Sequence, residues 1–99
     1  MLDHAREAVD LLAGKSQVDL AQNRILELAL TRLIEVIGEA ATNVSSGMKS
    51  SNPHLPWPEI VGMRNRLIHG YNTVDLKVLW DTISEDLPSL IADLEKIIE

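Results

Sequence analysis

Cysteine and phenylalanine are absent from this 99-residue chain, and tyrosine occurs once. Without cysteine there is no disulfide and no thiolate metal site. That is compatible with a reducing cytoplasm, the expected location. With so few aromatic residues, the core has to be built from Leu, Ile, Val and Ala. This favours packed helices over a β-sandwich, which needs aromatic and β-branched strand runs. Apolar runs of membrane-spanning length are missing, and no charged-then-apolar leader opens the chain, so no membrane association is expected. Bases are scarce: nine Lys and Arg stand against fifteen Asp and Glu, a net charge of −6. That balance argues against broad nonspecific nucleic-acid binding and confines any RNA contact to a local basic patch. The last nineteen residues hold six acids and one base, Lys96, and are not that patch.

Apolar residues make up 45% of the chain. This is enough for a modest core in one domain spanning 1–99. Their spacing predicts an all-α, antiparallel four-helix bundle with helices at 3–13, 19–46, 58–69 and 75–98. In the first, Leu2, Ala5, Val9 and Leu12 share a face, with Asp3 as cap and Gly14 as stop. In the second, Asp19 and Gln22 form a capping box, and Gly47 ends the helix. Its main stripe is Ile25, Leu26, Ala29, Leu33, Val36, Ile37, Ala40 and Val44. Leu20, Leu28 and Leu30 fall outside that stripe, so a second face also seeks cover, which points to a partner subunit. The segment SSGMKSSNPHLPW reads as a loop. Pro58 suits the first turn of the third helix and Gly70 its end. On the fourth, Leu76, Leu79, Trp80, Ile83, Leu87, Leu90, Ile91, Leu94 and Ile98 form the buried stripe. Pro88 removes an amide donor there, so a kink is expected near Glu85 to Leu87.

Chemistry concentrates in Met63 to Asp75, MRNRLIHGYNTVD. The third helix has an apolar stripe of Trp57, Ile60, Val61, Leu67 and Ile68, and Arg64 falls in its middle. A guanidinium there needs an ion-pair partner or a polar cleft beside it. Asn65 and His69 are four residues apart, so the amide can orient the imidazole, and Arg66 is three residues from the same histidine. An imidazole has an ordinary pKa of ~6.5 and works as acid or base near neutrality. Phosphodiester transfer needs a base, an acid and cations for the developing charge, and RNA brings its own nucleophile, the 2′-hydroxyl. One histidine per chain is meagre for both proton transfers; a two-fold dimer supplies two.

Arg64-x-x-x-x-His69-x-Tyr71 resembles the R-x-x-x-x-H-x-Y signature of HepT-like toxins of the HEPN superfamily. Ile37-Gly38-Glu39-Ala40-Ala41, Pro56-Trp57, Met63 to Tyr71, and Trp80 with Glu85-Asp86-Leu87-Pro88 resemble the same family, in its order. The similarity runs from about Arg24 to the C-terminus, and the first helix is generic. The resemblance implies a HEPN-like bundle and a homodimer. It also implies metal-independent endoribonuclease activity at a composite site between protomers, with Arg64 and His69 catalytic; spacing to His69 adds Asn65 and Arg66 as supporting residues. No cofactor is implied. The implied context is a type VII-like toxin-antitoxin pair. There an MNT-type nucleotidyltransferase antitoxin silences the RNase by transferring AMP to Tyr71.

Each residue also has a plainer reading. Arg64 can form a structural salt bridge to Glu39 or Glu35. His69 can cap helix carbonyls, Asn65 and Arg66 can be solvated, and Tyr71 can be a packing residue. Trp57 and Trp80 are expected as core anchors. Gly38 on a long helix points to a close helix approach, with Glu39 facing Arg64. His4 and His54 have no ligand-spaced partners, so no metal site is expected. The alternative functions are a noncatalytic helical module that docks a nucleotidyltransferase and a plain dimeric scaffold.

Overall fold

Side-chain caps divide the chain more finely than its apolar periodicity does. The computed structural model describes residues 1–68 and 73–98. Among these the fold is all-α. Helix α1 (Leu2–Leu12) is followed by α2 (Gln17–Ala21), α3 (Arg24–Thr42), α4 (Ser46–Ser51), α5 (Trp57–Val61) and α6 (Met63–Leu67). Helix α7 (Leu76–Asp81) then runs through a π-helical turn, Thr82–Asp86, into α8 (Leu87–Ile98).

The expected first helix is α1. Met1, not Asp3, stands at its cap, and Asp3 lies in the first turn, where a carboxylate suits the positive helix end. Gly14 turns the chain at φ +76°. The expected helix 19–46 is broken. Ser16 and Asp19, not Asp19 and Gln22, form the capping box: Asp19 N–H donates to Ser16 Oγ at 3.2 Å, and Ser16 N–H to Asp19 Oδ2 at 2.8 Å. Asn23 then caps α3, its Oδ1 accepting from Leu26 N–H at 2.9 Å. A short polar side chain that bonds its neighbouring backbone offers an alternative to helix continuation. Helix α3 ends at Thr42, and Gly47 lies within α4, inside the expected loop. Ser45 starts that helix by accepting from Met48 N–H at 3.1 Å.

The expected helix 58–69 is also two pieces, α5 and α6, joined at Gly62. It ends at Leu67, because Ile68 is extended (φ −81°, ψ 118°) and pairs with Val74 in an isolated antiparallel bridge. Asp75 N–H donates to the Leu67 carbonyl at 2.7 Å, and the Asp75 carboxylate accepts from Lys77 and Val78 N–H to cap α7. The break expected before Pro88 takes the form of the π turn, where Leu87 N–H donates to the Thr82 carbonyl. Pro88 has no N–H, and its ring crowds the carbonyl four residues back, so a widened turn accommodates it.

Helix α3 is central, packed against α1 on one side and α5 and α6 on the other. Its buried face is Leu26, Leu30, Leu33, Ile34, Ile37 and Ala41. This is a rotation from the expected stripe: Ile25, expected inside, is 80% exposed, while Leu20 and Leu30, expected on the second face, are buried, and of that face only Leu28 stays in the open. Trp57 is buried, as expected, with Nε1–H donating to the Asn52 carbonyl at 3.0 Å. Trp80 packs half-buried against the core. At Gly38 the expected close approach is present. A Cβ there would lie 3.2 Å from the Val61 carbonyl oxygen and 3.5 Å from that of Ile60. A larger side chain has to push α5 away. Gly38→Leu should therefore lower unfolding free energy by roughly 1–3 kcal/mol through overpacking. Gly47→Leu, with nothing within 4 Å of its Cβ position, should stay within about 0.5 kcal/mol of the parent. Urea unfolding of both variants checks this.

A candidate active site between helices α3 and α6

The contact at Gly38 sets which side chains face each other. Gly38 touches Val61; one turn back on α3 is Glu35, and three residues on from Val61 is Arg64. The two segments run in opposite directions here, so the pairs meet. Arg64 Nε lies 3.6 Å from Glu35 Oε1. The buried face of α5 and α6 is Ile60, Met63 and Leu67. Arg64 is therefore not in the middle of the stripe, as its spacing suggested, but at its edge, with its side chain 49% exposed. It borders a largely polar cleft of about 310 Å³ lined by Glu35, Gly38, Glu39, Thr42, Val61, Arg64 and Asn65. Thr42 turns its hydroxyl hydrogen back to the Gly38 carbonyl at 3.0 Å.

The acidic partner of Arg64 is Glu35, one of the two glutamates weighed from the sequence. Glu39 lines the same cleft and pairs instead with Arg32, at 3.6 Å. Arg32 Nη1 also donates to Glu35 Oε2 at 3.3 Å. The result is a chain of alternating charge, Arg64–Glu35–Arg32–Glu39. Its two arginines and two glutamates sum to zero formal charge.

Of the residues singled out by sequence, Arg64 and Asn65 are brought together on this cleft. Arg66 is not. Its Nη2 donates to the Glu59 carbonyl at 3.1 Å. It lines a different groove, of about 270 Å³, with Glu59, Asp86 and Asp93. Two residues along a helix point to well-separated directions, which the sequence reading passed over. The helical path assumed between Asn65 and His69 stops at Leu67. His69 and Tyr71 themselves lie outside the described residues. Arg32 and Glu35 are the charged groups the sequence reading left out or left open. Their signal was the i, i+3 spacing on the same side of α3 as Gly38.

The chain matches the family described as Ribonuclease HepT-like over residues 1–97. It is 37% identical over 100 residues to a protein named "Probable ribonuclease HepT" from Thermococcus cleftensis, covering 97% of this chain and 91% of that one. Two proteins named "Putative RNase" are also similar. One is from Methanocaldococcus jannaschii, 30% identical over 99 residues, with 100% of this chain and 82% of the other covered. The other is from Caldanaerobacter subterraneus, 31% identical over 99 residues, with 100% and 88% covered. No solved structure matches. The chain belongs to the HepT-like ribonuclease family of the HEPN superfamily.

An ion pair as exposed as Arg64–Glu35 contributes little to folding. A double-mutant cycle of Arg64→Ala and Glu35→Ala, followed by chemical denaturation, should give a coupling below about 1 kcal/mol. A coupling of several kcal/mol would make the pair a structural clamp and not a feature of a site.

Proposed function

We propose that this chain is the toxin of a toxin-antitoxin pair, a metal-independent endoribonuclease with its site at a homodimer interface. The observation that carries this reading is the half-exposed Arg64 on a polar cleft, within the signature Arg64-x-x-x-x-His69-x-Tyr71. Beside that cleft the outward face of α3 leaves Ile25 and Leu28 uncovered. Apolar residues on that face support a second copy packing there. Such packing brings two clefts, and two copies of His69, into one neighbourhood.

In this reaction the 2′-hydroxyl attacks the adjacent phosphorus. One imidazole takes the hydroxyl proton, and the 5′-oxygen leaves with a proton from the other. The products are a 2′,3′-cyclic phosphate and a 5′-hydroxyl. Arg64 faces the phosphorane, where negative charge builds up, and its planar fork suits two phosphoryl oxygens. Asn65 lines the same cleft and serves in support. Arg66 lies on another groove, so its contribution is to RNA lying outside the cleft.

Control is assigned to Tyr71. Its hydroxyl attacks the α-phosphorus of ATP on an MNT-type nucleotidyltransferase, pyrophosphate leaves, and a phosphodiester-linked AMP remains. The added negative charge and adenosine compete with RNA at the site.

Arg64→Ala and His69→Ala should each lose about 10²–10⁴-fold in cleavage rate, with cleavage by the parent unchanged by EDTA. Full activity of either variant would contradict the site. Sedimentation should give twice the 11.0 kDa chain mass, and a stable monomer would contradict the composite site. After incubation with the nucleotidyltransferase and ATP, intact mass should rise by AMP increments in the parent and not in Tyr71→Phe.

A further inference from the structure

An acidic side chain inside a cleft meant for phosphate needs a reason. Glu35 lies against the one arginine that the ribonuclease reading places at the reacting phosphate, and its contact is at Nε. A guanidinium has two bonding edges. A carboxylate at the Nε side leaves the edge formed by the two terminal nitrogens for another planar or tetrahedral anion. Glu35 is itself held: its second oxygen accepts from Arg32 at 3.3 Å. Each carboxylate oxygen thus goes to a different arginine, Oε2 accepting a hydrogen bond from Arg32 and Oε1 making an ion-pair contact with Arg64 at 3.6 Å, so the carboxylate orients toward both. The backbone behind it is also closely packed: a Cβ at Gly38, one turn away, would lie 3.2 Å from the Val61 carbonyl oxygen.

Resting on the ribonuclease reading above, we infer that Glu35 is a positioning residue for Arg64. It holds the guanidinium by its Nε edge and aims the terminal nitrogens at the scissile phosphate. Arg32 offsets the charge of Glu35, so the carboxylate orients without repelling the substrate. Arg32 is part of the same device and acts through Glu35. Glu39, which pairs with Arg32, is one step further removed.

The inference separates binding from turnover. Replacing Glu35 removes a negative charge from the cleft, so RNA should bind as well or better. It also frees Arg64 to wander, so the phosphorane should be stabilised less. A misplacement of about 1 Å in such a group can lower the rate about 100-fold.

The test uses the full chain, an RNA oligonucleotide as substrate, and its 2′-O-methyl counterpart, which binds but has no nucleophile. Glu35→Gln should lower kcat by about 10–100-fold. KM and the dissociation constant of the 2′-O-methyl oligonucleotide should stay level or fall, and the thermal midpoint should hold. Glu35→Gln should cause no further loss in an Arg64→Ala background, because Glu35 acts through Arg64. Glu95→Gln, which breaks an inter-helix pair with Arg6 at 3.5 Å elsewhere, should leave kcat unchanged. The inference is overturned by parental kcat in Glu35→Gln, by a raised KM with kcat intact, or by losses that multiply with Arg64→Ala. It is overturned too if Glu35→Gln erases the acidic limb of the kcat–pH profile, since Glu35 would then touch substrate as a base. An Arg64→Ala variant that cleaves at the parental rate defeats the site reading itself, and this inference with it. Loss in Arg64→Ala with none in Glu35→Gln defeats the inference alone.

Discussion

Helix α3 can approach α5 closely only where it carries no side chain, and that place is Gly38. A single Cβ at this position would already crowd the Val61 carbonyl. Glycine within a helix is unfavourable by about 1 kcal/mol relative to alanine, so the close approach has to bring something in return. It brings a register. With Gly38 against Val61, Glu35 falls opposite Arg64, and the cleft between α3 and α6 takes its polar lining from both helices. The core follows the same register: Leu30, Ile34 and Ile37 of α3 turn inward, fully buried, alongside Ile60, Met63 and Leu67.

That register also divides α3 into two working faces. The inner face is core. The outer face carries Ile25 and Leu28 in the open and, further along the helix, Arg32 bridging Glu35 and Glu39. The charged chain therefore joins the cleft to the face proposed to meet a second copy. Arg64 sits at one end of it, half-exposed and weakly tied to the fold. A group with that standing can engage an anion without unravelling its surroundings, as the role proposed for Arg64 requires.

The all-α class was legible from composition and spacing, because Leu, Ile, Val and Ala at helical intervals leave little else to build. Gly38 as a close approach and Arg64 beside an acidic side chain of the second helix were legible as well, since both stand out as costly choices. So was a break ahead of Pro88, where the missing amide hydrogen has a fixed consequence. The rotation of α3 was not. Ile25 and Leu30 lie on different faces of similar hydrophobicity, and only packing against α1 and α5 chooses between them. The breaks at Asn23 and Gly62 were missed for a different reason: apolar periodicity carries across a single capped turn without a change of phase. Arg66 was grouped with Arg64 because the two are near in sequence, whereas the helix sends them to separate grooves and the Glu59 carbonyl holds Arg66 in its own. The catalytic role of His69 and the AMP-acceptor role of Tyr71 rest on the signature, since both lie outside the described residues.

The central claim is that one Arg64 cleft is half of a site, completed by a second copy across α3. Mixed dimers test it most directly. Parent chains are unfolded and refolded together with a growing excess of chains carrying both Arg64→Ala and His69→Ala, and RNA cleavage is measured per parent chain. If each site needs both copies, cleavage per parent chain falls toward zero as parent chains are drawn into mixed dimers. Cleavage per parent chain that stays constant across the whole excess, with mixed dimers confirmed by mass, would show that each protomer carries a complete site and would contradict the account.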